Sequence, residues 1–145
     1  MGWWRRLSGS APVPAALLCL LVLSGCQPAV SPEAEAFANR YALLHREKDI
    51  EGLAGLVAWG DAPPATRPQF MRAMAEETRW PIESIRITEA GPTDIRAHFG
   101  DESPPAGPLF KLEVRLETDD GFGSTWLVGK PKEGQGLHLL LQPGA

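Results

Sequence analysis

Apolar positions change their period along this chain. From Ala34 to Leu44 they recur at helical spacing, and Ala34, Phe37, Ala38, Tyr41 and Leu44 form one face. Ser31-Pro32-Glu33 opens that helix with a cap, a proline at the first helical position and an acid near the positive helix end. Asp49 is placed to cap a second helix with the apolar set Ile50, Leu53, Ala54, Leu56 and Val57, and Gly60 is its stop. Gly52 and Gly55 each weaken that helix by about 1 kcal/mol relative to alanine, but they allow a neighbouring helix to approach closely. Thr66 and Gln69 match a capping box for a third helix with the inner face Phe70, Met71, Met74, Ala75 and Thr78. Trp80-Pro81 ends it, because the residue before proline is pushed out of helical geometry.

Beyond Pro81 the period becomes two. Ile85 and Ile87 alternate with Ser84, Arg86 and Thr88; after a turn at Gly91-Pro92, residues 93–99 alternate through Ile95, Ala97 and Phe99. A Pro/Gly-rich loop covers 100–108. Phe110, Leu112, Val114 and Leu116 then oppose Lys111, Glu113, Arg115 and Glu117, the pattern of a half-buried antiparallel strand. Asp119-Asp120-Gly121 signals a hairpin into a strand over 124–129, and 137–141 is the last strand. The expected fold class is α+β, with three N-terminal helices packed on a curved antiparallel sheet of about five strands.

The first 25 residues stand apart from this pattern. Arg5 and Arg6 precede an apolar run, Ala15 to Leu23, too short for the roughly 20 residues a membrane-spanning helix needs. Leu23-Ser24-Gly25-Cys26 closes it and resembles the processing box of bacterial lipoproteins. The resemblance implies cleavage before Cys26 and lipid on its thiol and new amino end, enough acyl chains for firm attachment. The alternative is an ordinary signal peptide with a chance cysteine. The expected organisation is a signal peptide over 1–25, a lipidated tether over 26–30 and a single domain over 31–142. The chain would then be membrane-anchored and extracytoplasmic. Gln27 rather than aspartate after the cysteine favours the outer membrane, facing the periplasm, over the inner one.

About 120 residues remain after processing, the size of one domain. Cys19 leaves with the signal and Cys26 carries lipid, so no thiol is left for a disulfide. The formal charge of −4 becomes more negative when Arg5 and Arg6 depart, and the remaining cations are scattered among acids. Nucleic acid is therefore not an expected partner.

The helix-then-sheet order, with Tyr41-Ala-Leu-Leu-His-Arg-Glu-Lys-Asp49 running into Leu53 and Leu56, resembles the nuclear transport factor 2-like (cystatin-like) superfamily. A departure is the apolar Leu137-His-Leu-Leu-Leu141 end, where many members carry a tryptophan. The resemblance implies a cone whose chemistry, in the enzymes, sits on the inner sheet face. Here that face reads Ile85, Ile87, Ile95, Ala97, Phe99, Phe110, Leu112, Val114 and Leu116, without a titratable group, although the helices can still supply one.

Candidate residues follow. Tyr41, Trp59, Trp80 and Trp126 are candidate ligand contacts, with core or boundary packing as the plainer role. His45 and Asp49, four apart, are a candidate general-base pair with Tyr41 as donor; the plainer role of Asp49 is the cap. His98 is expected in solvent, no two histidines share a ligand spacing, and neither metal nor cofactor is implied. Leu127, His138 and Leu140 give the last strands a second partly apolar face. A protein partner or second copy would cover it, or a loop of the same chain such as 100–108. The leading expectation is a non-enzymatic binding or interaction module. Alternatives are a small hydrolase, isomerase or dehydratase using His45 and Asp49, and a structural or assembly accessory.

Overall fold

The computed structural model describes residues 30–143. Signal segment, tether start and Cys26 lie outside them. The first helix, α1 (Pro32–Glu47), begins as its sequence dictates: the Ser31 side chain accepts from the Ala34 N–H at 3.2 Å, with proline in the first turn. Its buried stripe is Ala34, Phe37, Ala38, Tyr41 and His45. Leu44 is only partly buried.

The Asp49 carboxylate caps α2 (Ile50–Ala54) by accepting from the Gly52 N–H at 2.8 Å. A Cβ on Gly52 would meet the Leu44 side chain at 2.6 Å, so glycine here does permit the close approach of α1. This helix ends at Gly55, not at Gly60. Val57 and Ala58 leave it to form β1 (Val57–Ala58), because the sheet offers partners a longer helix would forfeit: the Leu139 N–H donates to the Leu56 carbonyl at 2.8 Å.

The third helix, α3 (Thr66–Glu77), starts without a side-chain cap, so the Thr66–Gln69 capping box is not formed. The turn at Pro63, with the Thr66 N–H on the Pro63 carbonyl at 2.9 Å, has already carried Ala65 into helical geometry. Phe70, Met74, Glu77 and Thr78 face inward, and Ala75 is exposed.

β2 (Ile82–Glu89) follows. Residues 92–99 then form α4 (Pro92–Phe99) rather than a strand. Ile95 and Phe99 are also four apart, so an alternating reading and one helical face share them; Pro92 in the first turn decides for helix. The Asp94 carboxylate accepts from the Gly91 N–H at 3.0 Å, and Gly91, lacking a side chain, gives nothing in return. Gly100, at φ 59°, ends the helix where a side chain would be strained.

β3 (Phe110–Leu116), β4 (Gly123–Gly129) and β5 (His138–Leu140) complete the sheet, ordered β1-β5-β4-β3-β2. β1 pairs with β5 in parallel and every other pairing is antiparallel. The described residues thus form an α+β fold of four helices and a five-stranded, mostly antiparallel sheet. The expectation of three helices followed by an all-antiparallel sheet is corrected in two places, at β1 and at α4.

The main core lies between α1, α2, α3 and the inner sheet face, with Tyr41, Leu53, Met74, Leu112, Leu116, Val128 and Leu139 the largest fully buried side chains. A second, smaller cluster lies on the opposite face: Leu109, Leu127 and Leu140, with Ile95 and Phe99 of α4 over them. Leu127 and Leu140 are 4% and 5% exposed, so they are not an open interaction surface. Neither a partner nor the 100–108 loop is needed to explain their burial: the segment misread as a strand is their cover. His138 is half-buried beside them, with its Nδ1 2.9 Å from the Gly136 carbonyl oxygen.

Candidate functional site

Tyr41 and His45 share one face of α1 because they are a helical turn apart, and their rings stack at 6.3 Å and 27°. Opposite them α3 presents Glu77, seven residues beyond Phe70 and three beyond Met74, on the same stripe that packs into the core. The Tyr41 hydroxyl donates to Glu77 Oε1 at 2.9 Å, and the Ser124 hydroxyl of β4 donates to the same oxygen at 3.3 Å. The Trp126 indole N–H donates to Ser124 Oγ at 3.2 Å. Period two places Ser124 and Trp126 on the inner side of β4, which is how residues from three distant segments come to one point.

His45 completes the cluster without bonding to it. Its Nε2 lies 3.7 Å from Glu77 Oε1, beyond hydrogen-bond range, and has no partner. Burial pushes the His45 imidazole below its ordinary value, partly offset by the Glu77 backbone carbonyl. Burial likewise pushes the Glu77 carboxyl up, against the pull of the Tyr41 and Ser124 hydrogen bonds. The Tyr41 phenol is held far above its usual range, first by burial and then by Glu77. Both partners of the 3.7 Å contact are driven toward neutral forms, so it is not a strong ion pair. The arrangement sets a carboxyl beside an imidazole with no hydrogen bond between them, so a proton passes from one to the other only if the 3.7 Å gap closes. These groups are also buried: His45 is 2% and Glu77 6% exposed, and Tyr41 is fully buried.

Next to this cluster a cleft of about 570 Å³ opens between the C-terminal end of α1, the α3–β2 connection and the first half of β2. Thr78, Pro81, Ile82 and Ile85 line it, and the buried His45 borders it. Trp80 lies on it 50% exposed, one of three large apolar side chains left exposed among the described residues. The volume falls in the range of small-molecule sites, roughly 300–1,000 Å³.

The structure therefore separates the residues the sequence grouped. Tyr41 and Trp126 belong to the buried network, and Trp80 to the cleft. Trp59 is elsewhere, half-buried, its indole N–H donating to the Ala54 carbonyl at 3.0 Å and its ring edge-on to Phe70 at 5.6 Å. Asp49 does not serve His45; it is exposed and spends its carboxylate on the α2 cap. Of the residues expected on an inner face without a titratable group, Ile85, Ile87, Phe110, Leu112, Val114 and Leu116 do lie there, Ile95, Ala97 and Phe99 belong instead to α4, and the carboxylate is supplied by a helix, as Glu77 of α3. His98, expected in solvent, is half-buried against Phe99 at 4.7 Å, and its Nε2 has no partner. Burial pushes its imidazole down.

Sequence reasoning missed Glu77 and Ser124. The signal for Glu77 was its spacing, since 70, 74 and 77 mark one helical face whatever residue occupies the third position. Among the described residues no three His, Cys, Asp or Glu side chains gather closely enough to hold a metal ion, and no helix is long and apolar enough to cross a membrane. No family model matches the chain, and no curated protein or solved structure is significantly similar to it.

Proposed function

We propose that this chain is a lipid-anchored, non-catalytic binding domain of the bacterial cell envelope, with the cleft beside His45 and Trp80 as its ligand site. One observation carries the binding role. The large aromatic Trp80 is half exposed on an apolar wall, while the groups able to do acid–base chemistry are sealed beneath it. A hydrogen-bonded Tyr41–Glu77–Ser124–Trp126 network whose phenol and carboxylate are buried fits a structural role better than turnover.

The address rests on Leu23-Ser24-Gly25-Cys26 and its resemblance to the lipoprotein processing box. The order of helices over a mostly antiparallel sheet supports the likeness to the nuclear transport factor 2-like superfamily. Cys26→Ser is expected to move the protein from the membrane to the soluble fraction on cell fractionation. Continued membrane attachment of that variant would remove the localisation.

A second reading is favoured by one observation, the raised carboxyl of Glu77 beside the lowered imidazole of His45. It is a small hydrolase, isomerase or dehydratase in which Glu77, not Asp49, partners His45. On that reading a compound held in the cleft is converted by the wild type and left intact by Glu77→Gln, which NMR of the bound compound would detect.

A further inference from the structure

The chemistry of the cleft rim narrows what the cleft takes. Arg46, Lys48 and Arg79 line it, in a chain whose formal charge is −4. Arg79 is held by Glu76 at 2.9 Å, and the lining carboxylate Glu83 lies 3.7 Å from Arg115. Arg46 and Lys48 make no ion pair among the described residues and are exposed. Lys48 stands at φ 56°, a left-handed geometry that costs a non-glycine residue about 1–2 kcal/mol. A position favouring glycine thus carries a cation at the mouth of an apolar cleft. The wall below is uncharged, since Ile82, Ile85, Pro81 and Trp80 carry no charge and His45 is pushed toward its neutral form.

We infer that the cleft binds a free anionic amphiphile, with its apolar body against Trp80, Ile82 and Ile85 and its carboxylate or phosphate head against Arg46 and Lys48. The inference rests on the proposed binding role of the cleft. Charge complementarity carries it: two unpaired cations beside an apolar wall match one anionic head on one apolar body. Position selects a free ligand over the headgroups of the anchoring bilayer. The tether enters at the N-terminal end of α1, and the cleft lies at its other end, about 24 Å away for 16 residues at 1.5 Å each.

Trp80 is the reporter. The full chain carrying Cys26→Ser is titrated in detergent-free buffer with decanoate, decyl phosphate, decanol and decyltrimethylammonium below their critical micelle concentrations. Tryptophan emission is followed in this protein and in the same protein with Trp80→Phe. Decanoate and decyl phosphate are expected to shift the emission to the blue, the shift to vanish in Trp80→Phe, and Arg46→Gln/Lys48→Gln to weaken both at least tenfold. Decyltrimethylammonium is expected to bind at least tenfold more weakly than decanoate. Equal shifts with decanol and decyltrimethylammonium would overturn the anionic head and leave the binding role standing. A shift with none of the four would overturn both. Phosphatidylglycerol vesicles shifting Trp80 where decanoate does not would overturn the free ligand in favour of a membrane surface. The comparison among the four probes needs no folded double variant.

Discussion

The two faces of the sheet are built to different standards. On the inner face, helices α1, α2 and α3 bury Tyr41, Leu53, Met74, Leu112, Leu116, Val128 and Leu139 and enclose a polar network. On the outer face, the eight-residue helix α4 covers Leu109, Leu127 and Leu140 with Ile95 and Phe99, and none of its own residues is fully buried. The inner face is a core; the outer is a patch closed by one short helix. Helices of that length are marginal alone and exist by the packing they make. The difference teaches that an apolar strand face, which resembles a docking surface in sequence, needs only one short helix of the same chain to satisfy it.

The sharpest break between the faces is a cavity on each. Leu112→Ala, at the centre of the inner core, is expected to cost about 2–5 kcal/mol in urea unfolding and to lower the stability of the whole domain. Leu127→Ala should cost about 2 kcal/mol, the low end of the same range, because a single short helix can settle into the space. Amide exchange separates the two. Leu127→Ala should speed exchange in α4 before it touches α1, whereas equal acceleration in both would show that the two clusters unfold as one unit.

At the rim of α4 the effect is smaller. Asp94→Ala removes the carboxylate that accepts from the Gly91 N–H at 3.0 Å and lies 3.5 Å from Lys111 Nζ. It is expected to cost about 1 kcal/mol and to raise exchange in the first turn of α4 alone.

The two faces should also differ in pH dependence: the inner one joins a raised carboxyl, Glu77, to a lowered imidazole, His45, whereas α4 over the outer cluster carries a lowered imidazole of its own at His98. The folded Glu77 carboxyl is raised above its ordinary value of 4.5, so its contribution to stability is fully present below that value and is lost as pH rises through the raised one. His45 is lowered from 6.5, so its contribution is present above that value and is lost as pH falls through the lowered one. Unfolding free energies measured across this range should show Glu77→Gln gaining on the wild type as pH rises above 4.5. A constant difference between the two proteins would mean that Glu77 titrates as it does in the unfolded chain.

Much of the architecture was legible because local physics repeats. The Ser31 cap and the Ala34–Tyr41 stripe made α1, Asp49 capped α2, and the alternation of 110–117 made β3, since each rule involves residues a few positions apart. Of the site, Tyr41, His45, Trp80 and Trp126 were named and Tyr41 was set beside His45, but Glu77 and Ser124, which join Tyr41 to Trp126, were not. Asp49 looked like the partner of His45 because four residues is one helical turn, yet α1 ends at Lys48 and a new helix claims the carboxylate.

What the sequence determined by itself is the α+β order, the strand faces and a processing-box pattern at Cys26, all encoded in spacings shorter than about a dozen residues. What only the tertiary structure decided is contact between distant segments: Val57 beside Leu139, Phe99 over Leu127, Glu77 under Tyr41 and Ser124, and Trp80 left standing at a cleft. The reason is that a short apolar run such as 56–58 suits helix and strand nearly equally until the partner that buries it, far along the chain, chooses between the two, and that a spacing such as Ile95 to Phe99 fits both periods without showing which distant strand it will cover.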